Sequence, residues 1–383
     1  MPVLGAAIRG EWALDSDWLT VNHGSYGAAP KPVLAAQHDW RRQMEAQPTR
    51  FFSRVVPGAL REAAASLGAF VGAQGEDIAF VTNATEGCNA VLRSLALRPG
   101  DEVLVLTHGY GAVRNTVHYI TERAGARMTE ADLPFPDPGE ASVLAALEAA
   151  LTPRTRLAVL DHITSASALV LPIAAMTGLC RAAGVPVLID GAHGPGQITL
   201  DVPALGADWY AGNCHKWLCA PKGCGFLWAA PERQGDLHPV TLSHGLGSGF
   251  LAEFDWTGTR DPSAWLSVDT AIAFHEHLGG PDLRARNATL AAEATGLLAG
   301  HLNTDVGASG AFAGAMGVVR LPVSGPATPE RARAIRERLL NARTDAPVLA
   351  LEGGLWVRLS AAAYNERADY ERLADIVAVA LHD

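Results

Sequence analysis

No stretch of the 383-residue chain approaches the about 18 uninterrupted apolar residues that a membrane helix needs. Its richest runs, such as Val103 to Leu106, are only strand-sized. A basic, apolar leader is also missing: Arg9, Glu11, Asp15 and Asp17 follow closely on Met1, so a cytoplasmic protein is expected. The five cysteines, at 88, 180, 214, 219 and 224, make no C-x-x-C pair, which excludes a disulfide framework and a thioredoxin-type motif and predicts reduced thiols. Cys214, Cys219 and Cys224 are spaced C-x4-C-x4-C, unlike the short-spaced structural zinc motifs, so no metal site is expected. Basic residues are outnumbered, with 30 Lys+Arg against 40 Asp+Glu and a net charge of −10. Such a surface has no general field for phosphate backbones, so no nucleic-acid partner is expected. A G-x-x-x-x-G-K-[ST] element is absent, and Gly245-Leu246-Gly247-Ser248-Gly249 follows no strand pattern, so it reads as a flexible loop rather than a dinucleotide fingerprint.

What the chain does have is apolar content, 49% of its residues, enough for a large core. Between about residues 78 and 230, short aliphatic runs at Ile78 to Thr82, Val103 to Thr107, Leu157 to Leu160 and Val187 to Ile189 read as buried strands. They alternate with helical patterns at Thr85 to Leu97, Gly111 to Gly125, Pro138 to Leu151 and Ile173 to Ala183. This alternation predicts an α/β fold with a mostly parallel sheet covered on both faces, and ligands at the carboxyl ends of its strands. Later, Met316 to Leu321, Val348 to Leu351 and Leu355 to Leu359 are strand-like, while Pro329 to Ala342 and Asn365 to Leu381 are helical, as in a smaller α+β domain. The Gly/Asp/Pro-rich run at 257–262 marks the boundary. The expected division is a large domain over 21–262 and a small one from 1–20 and 263–383.

Three segments carry chemistry. Gly212-Asn213-Cys214-His215-Lys216-Trp217 follows a strand-like run and places Lys216 in a polar turn, where a desolvated amine can be nucleophilic near neutral pH. Val187-Leu188-Ile189-Asp190-Gly191-Ala192-His193 sets Asp190 directly after a buried strand, where a carboxylate can hold a protonated heteroaromatic nitrogen. Thr82-Asn83-Ala84-Thr85-Glu86-Gly87 joins a strand to a helix, so free N–H groups and the Thr85 hydroxyl can meet a dianion. Taken singly, Lys216 would read as a surface lysine, Asp190 as a turn former, His193 as a structural histidine and Thr85 as a helix cap. It is the combination that points to pyridoxal phosphate.

The ordered set Asn22-His23-Gly24-Ser25-Tyr26-Gly27, Asn83-Ala84-Thr85-Glu86, Asp190-Gly191-Ala192-His193, His215-Lys216-Trp217, Pro221-Lys222-Gly223-Cys224-Gly225-Phe226 and Gly258-Thr259-Arg260-Asp261 resembles class V aminotransferases of the fold-type-I pyridoxal phosphate superfamily, most of all isopenicillin N epimerase-like proteins. The likeness spans about residues 20 to 365. It implies a mostly parallel seven-stranded sheet, pyridoxal 5'-phosphate as cofactor, and Lys216 as its Schiff-base lysine. Asp190 would be the partner of the ring nitrogen, and His193 would lie beside the ring. Thr85, the Glu86 amide and His215 would hold the phosphate, with Asn213 near them, and Tyr110 would lie over the ring face. Thr259 would reach the phosphate of a neighbouring subunit, which implies a homodimer with shared sites. Arg358 would grip a substrate α-carboxylate, with Asn22 and His23 as further substrate-binding residues.

The implied activity is formation of an external aldimine with an amino-acid-like substrate and removal of its Cα proton by Lys216. Epimerase or racemase chemistry stands first, with aminotransferase or carbon–sulfur lyase chemistry as the rival. A catalytically silent protein of the same fold is the third reading, against which the intact Asp190, His193, His215 and Lys216 set argues. Cysteine desulfurases of this scaffold need a mobile cysteine well after the lysine, and here no cysteine follows Cys224, so transfer of sulfur onto a persulfide is not expected. Substrate specificity is expected from Asn22 to Tyr26, from the Phe51-Phe52 neighbourhood and from the Ser243 to Phe254 loop.

Overall fold

The computed structural model describes residues 2–382. Its centre is a seven-stranded sheet built from β1 (Ile78–Val81), β2 (Glu102–Leu106), β3 (Arg127–Ala131), β4 (Thr155–Asp161), β5 (Val187–Gly191), β6 (Trp209–Asn213) and β7 (Gly225–Ala229), in the spatial order β1-β7-β6-β5-β4-β2-β3. Only β7 runs against its neighbours; the pairings from β3 through β6 are all parallel. Every residue of β1, β2, β5, β6 and β7 is buried, as expected of strands covered on both faces. Helices α1 (Lys31–Ala46), α2 (Val56–Val71), α3 (Ala84–Ser94), α4 (Gly111–Ala124), α5 (Glu140–Ala150) and α6 (Ile173–Ala182) supply those covers.

Two strands escape the sequence pattern. The edge strand β3 is half exposed and carries Arg127, Thr129 and Glu130, so it shows no aliphatic run. The Gly225–Ala229 strand is masked in sequence by the Pro/Gly-rich turn that leads into it.

A second, three-stranded antiparallel sheet contains β8 (Met316–Arg320), β9 (Val348–Leu351) and β10 (Gly354–Ser360), in the order β9-β10-β8. It shares a separate core with α8 (Pro281–Leu302), α9 (Pro329–Asn341) and α10 (Arg367–His382). Leu19 and Val21 join that core, and Leu19–Thr20 pairs with Thr344–Asp345. The changeover between the cores falls later than the turn at 257–262. Ala264, Trp265, Leu266 and the α7 helix (Val268–His277) pack into the core of the large sheet, and Trp265 donates to the Val81 carbonyl at 3.0 Å. The chain crosses over at Gly279-Gly280, both at positive φ, immediately before α8. The reason is the apolar face of 264–271, which stays with the large sheet although a turn-rich segment precedes it.

Candidate active site

At the carboxyl ends of β4, β5 and β6 lies a cleft of about 190 Å³, lined by Ser25, Tyr26, Asn83, Thr85, Tyr110, Asp161, Ser165, Asp190, His193, Asn213, His215 and Lys216, among others. This is where a doubly wound sheet places ligands. A larger depression of about 590 Å³ lies at the opposite end of β6, beside Trp209, Arg233 and His238, and has no lysine in its lining.

The strands fix the floor. Asp190 is the fourth residue of β5 and sits in register with Asp161 of β4. Asp190 accepts from the Ala192 N–H at 3.1 Å, and Asp161 from the Tyr110 N–H at 3.1 Å. Burial raises the pKa of both carboxyls; the neighbouring Asp190 charge raises Asp161 further, while Lys216 pulls Asp190 back down. Two buried carboxylates at adjacent strand ends call for a cation between or above them.

Lys216 follows β6 in a tight turn and is 9% exposed. Burial lowers its pKa to about 8; Asp190 opposes the shift and Arg358 adds to it. Its Nζ lies 3.0 Å from His193 Nε2, and Trp217 Nε1–H donates to His193 Nδ1 at 3.3 Å. Burial, reinforced by Lys216, Arg358 and His215, keeps His193 neutral. A neutral imidazole that accepts at Nδ1 carries its proton on Nε2, so the hydrogen bond to Lys216 is satisfied when the amine offers its lone pair.

At the N-terminus of α3, Asn83 caps the helix by accepting from the Glu86 N–H at 2.9 Å, and Asn213 Oδ1 accepts from the Ala84 N–H at 2.8 Å. Among the described residues, the Thr85 N–H and hydroxyl carry no hydrogen bond, and both face an end of the helix suited to an anion. His215 fixes its Nδ1 on the Cys224 carbonyl at 3.0 Å and lines the cleft with the rest of its ring.

Arg358, on β10, is 5% exposed and stands just behind Ser25 and Ser165. Its guanidinium donates to Ser25 Oγ at 2.7 Å, Asn22 Oδ1 at 3.1 Å, and the Ser165 carbonyl and hydroxyl. All four acceptors are uncharged, so a buried cation stands behind the cleft with no carboxylate bonded to it.

The structure thus brings Lys216, Asp190, His193, His215, Asn213, Thr85 and Tyr110 together around one cleft, with Arg358 and Asn22 directly behind. Three expectations change. The Glu86 amide is taken by Asn83, and the Glu86 carboxylate folds back onto the Thr82 N–H and hydroxyl, both at 2.6 Å. His23 points away from the cleft, into the core. Thr259, expected to reach a neighbouring subunit rather than its own cleft, is exposed and does not line the cleft of its own chain, so that expectation is unchanged. Phe51 and Phe52 pack against Trp40 and Trp256, and the 243–254 loop is tied down by Glu253, which accepts from the Gly247 N–H at 3.1 Å, so neither region lines the cleft. Asp161, Ser165 and Trp217 escape the sequence reading. Asp161 ends a buried strand as Asp190 does, and that parallel was the available signal.

The donor set fits pyridoxal 5'-phosphate. Paired buried carboxyls can hold a pyridinium, the free Thr85 N–H and hydroxyl with His215 can hold a phosphate, and an amine of lowered pKa lies between. Fold and site together define an enzyme dependent on this cofactor. The family model Aminotransferase class-V matches residues 27–373, and the chain belongs to that family. It is 34% identical to the isopenicillin N epimerase of Streptomyces clavuligerus over 96% of each chain. It is also 34% identical to the putative L-cysteine desulfhydrase 1 of Oryza sativa subsp. japonica, over 93% of this chain and 82% of the relative. Among solved structures, a variant of C-DES with glycine covalently linked to its PLP cofactor superposes with a TM-score of 0.81 at 21% identity, covering 97% of this chain and 98% of that one. All five cysteines are free.

Proposed function

We propose that the chain removes the Cα proton of a small α-amino acid and expels a sulfur leaving group from Cβ, as a carbon–sulfur lyase releasing sulfide, pyruvate and ammonium from L-cysteine. The observation that carries this reading is the make-up of the cleft. Lys216 is the one amine in its lining, and one such base is what elimination from Cα and Cβ requires.

When bound, the cofactor supplies an electron sink for the charge left at Cα. The protein's own residues do the rest. Arg358, held by Asn22, exchanges its hydrogen bonds to Ser25 and Ser165 for a planar two-pronged contact with the substrate carboxylate. That contact orients the amino acid with Cα toward Lys216. The Lys216 amine, kept deprotonatable by burial, takes the Cα proton and can return one to the departing sulfur. Asp190 balances positive charge on the ring side, while Thr85 and His215 anchor the phosphate end. His193 donates from Nε2 at the position now facing Nζ. Supporting this outcome, elimination and transamination need only one such base, whereas inversion at Cα needs a second proton donor across the substrate.

Epimerisation, first in the sequence reading, is the second reading. It is supported by the near-full coverage of the Streptomyces clavuligerus epimerase, and Tyr110, 42% exposed at the mouth of the cleft, is the protic group it would use. A homodimer is part of the proposal: the exposure of Thr259 away from its own cleft supports a role toward a second copy.

The test is product analysis of the holoenzyme with L-cysteine and a panel of L-amino acids in deuterated water. Equimolar sulfide and pyruvate support the lyase. D-amino acid carrying solvent deuterium, without sulfide or keto acid, would replace it with the epimerase.

A further inference from the structure

His23 belongs to the Asn22-His23-Gly24-Ser25-Tyr26-Gly27 motif, yet it is turned away from the cleft and is 4% exposed. Its Nε2 lies 3.0 Å from the Lys216 carbonyl and its Nδ1 lies 2.9 Å from the Tyr364 hydroxyl, itself 1% exposed. A carbonyl only accepts, so Nε2 carries the proton and donates it. The unprotonated Nδ1 must then accept, so Tyr364 O–H donates to it. The relay runs one way, from Tyr364 through His23 to the peptide of the reactive lysine. Burial pushes the imidazole down to about 4, so it stays in this one neutral form throughout the neutral range.

The surroundings reinforce the grip. The Cys219 N–H donates to the same Lys216 carbonyl at 3.1 Å, closing the turn from the other side. Gly27, at φ 68°, lies so close to the His215 and Lys216 backbone that a Cβ there would collide with it, and Lys222 Nζ donates to the Gly27 carbonyl at 2.7 Å. The preceding residue, Asn22, meanwhile accepts from Arg358. Two consecutive side chains therefore reach the two ends of the site: Asn22 the guanidinium, His23 the lysine backbone.

We propose that His23, oriented by Tyr364, is a positioning residue that fixes the Lys216 backbone relative to Arg358 and so places the amine for attack and proton transfer. It touches neither substrate nor cofactor and acts through Lys216. The inference rests on the reading that Lys216 carries the cofactor.

The experiment compares wild type with His23→Ala, His23→Gln and Tyr364→Phe. First, each protein is loaded with pyridoxal phosphate, reduced with borohydride and mapped by peptide mass spectrometry; attachment away from Lys216 in the wild type would overturn the underlying reading itself. Three readouts then address His23. In cofactor-free protein with 15N-labelled histidine, the His23 resonances show a protonated Nε2 and a bare Nδ1 that do not titrate between pH 6 and 9 (the range of the assay, chosen well above the His23 value). In His23→Ala, kcat falls by roughly ten- to a hundredfold with KM nearly unchanged, because a small misplacement of a reacting group costs this much. The pH midpoint of cofactor capture rises, because a loosened turn lets water reach the amine. His23→Gln keeps an N–H for the carbonyl and recovers most of the loss, and Tyr364→Phe, which keeps the ring, falls between. The inference is overturned if His23 has the opposite tautomer, if Tyr364→Phe and His23→Gln leave kcat and midpoint at wild-type values while His23→Ala loses only thermal stability, or if His23→Gln is as impaired as His23→Ala.

Discussion

Lys216 Nζ stands 3.0 Å from His193 Nε2, and the hydrogen bond from Trp217 to the other ring nitrogen makes that contact one in which the amine is the acceptor. The amine is thus held by a donor rather than a carboxylate, in a pocket where burial already disfavours its charge. An isolated surface lysine has neither feature.

Capture of pyridoxal phosphate by cofactor-free protein follows the neutral fraction of Lys216. Its rate rises with pH through about 8 and then levels off. Because Arg358 pushes the Lys216 value down, Arg358→Gln moves that midpoint to higher pH. Stopped-flow absorbance across pH 6–10 measures both; a flat profile contradicts the assignment (the range brackets the Lys216 value).

Trp217→Phe preserves most of the buried ring but removes the donor to His193 Nδ1. The imidazole is then free to take the other tautomer, and the loss of one buried hydrogen bond, about 0.5–1.5 kcal/mol, corresponds to roughly a two- to twelvefold slower cofactor capture. An unchanged rate in a folded variant would show that Trp217 does not set the tautomer.

Arg358→Gln removes the buried cation behind Ser25 and Ser165. Losing a charge-assisted bond worth about 1.5–3 kcal/mol raises KM roughly ten- to 150-fold for an amino acid. The same variant loses discrimination between L-cysteine and its decarboxylated analogue cysteamine. Equal discrimination in wild type and variant would place the carboxylate elsewhere.

Asp161→Asn stabilises the cofactor-free protein at neutral pH. Both Asp161 and Asp190 have folded-state pKa values raised above those of the unfolded chain, so the native state holds protons more tightly and loses stability as pH rises above the ordinary carboxylate range. Removing one carboxyl lifts the apparent Tm by on the order of 2 °C near pH 7, and the gain disappears as the medium is acidified. Differential scanning fluorimetry at pH 5 and pH 7 reads the difference. A gain of equal size at both values contradicts this origin (both lie above the ordinary range of a free aspartate).

The buried strands were legible because a covered parallel sheet demands unbroken aliphatic runs, and Val187-Leu188-Ile189 before Asp190 is such a run. The positions of Lys216, Asp190, His193 and Thr85 were legible because each lies at or just past the carboxyl end of a strand. The exposed edge strand at 127–131 lacks that signature. His23 was read as facing substrate because its motif neighbours do; only the fold reveals that successive residues of a one-turn helix at 23–26 point in different directions. The Glu86 amide was misread for a local reason, since an Asn directly before a helix claims the third amide for itself. Asp161 is followed by no family-like motif, and its importance emerges from the cross-strand register with Asp190.

The central claim, that Lys216 moves the Cα proton of a small α-amino acid, is tested most directly with L-alanine, which has no leaving group at Cβ. Proton NMR in deuterated water follows loss of the Cα–H signal in the presence of the loaded wild-type protein and of Lys216→Ala supplied with the same cofactor. The account predicts exchange of solvent deuterium into Cα with wild type and its loss, by at least about a hundredfold, in the variant. Exchange at the same rate in both proteins would contradict it.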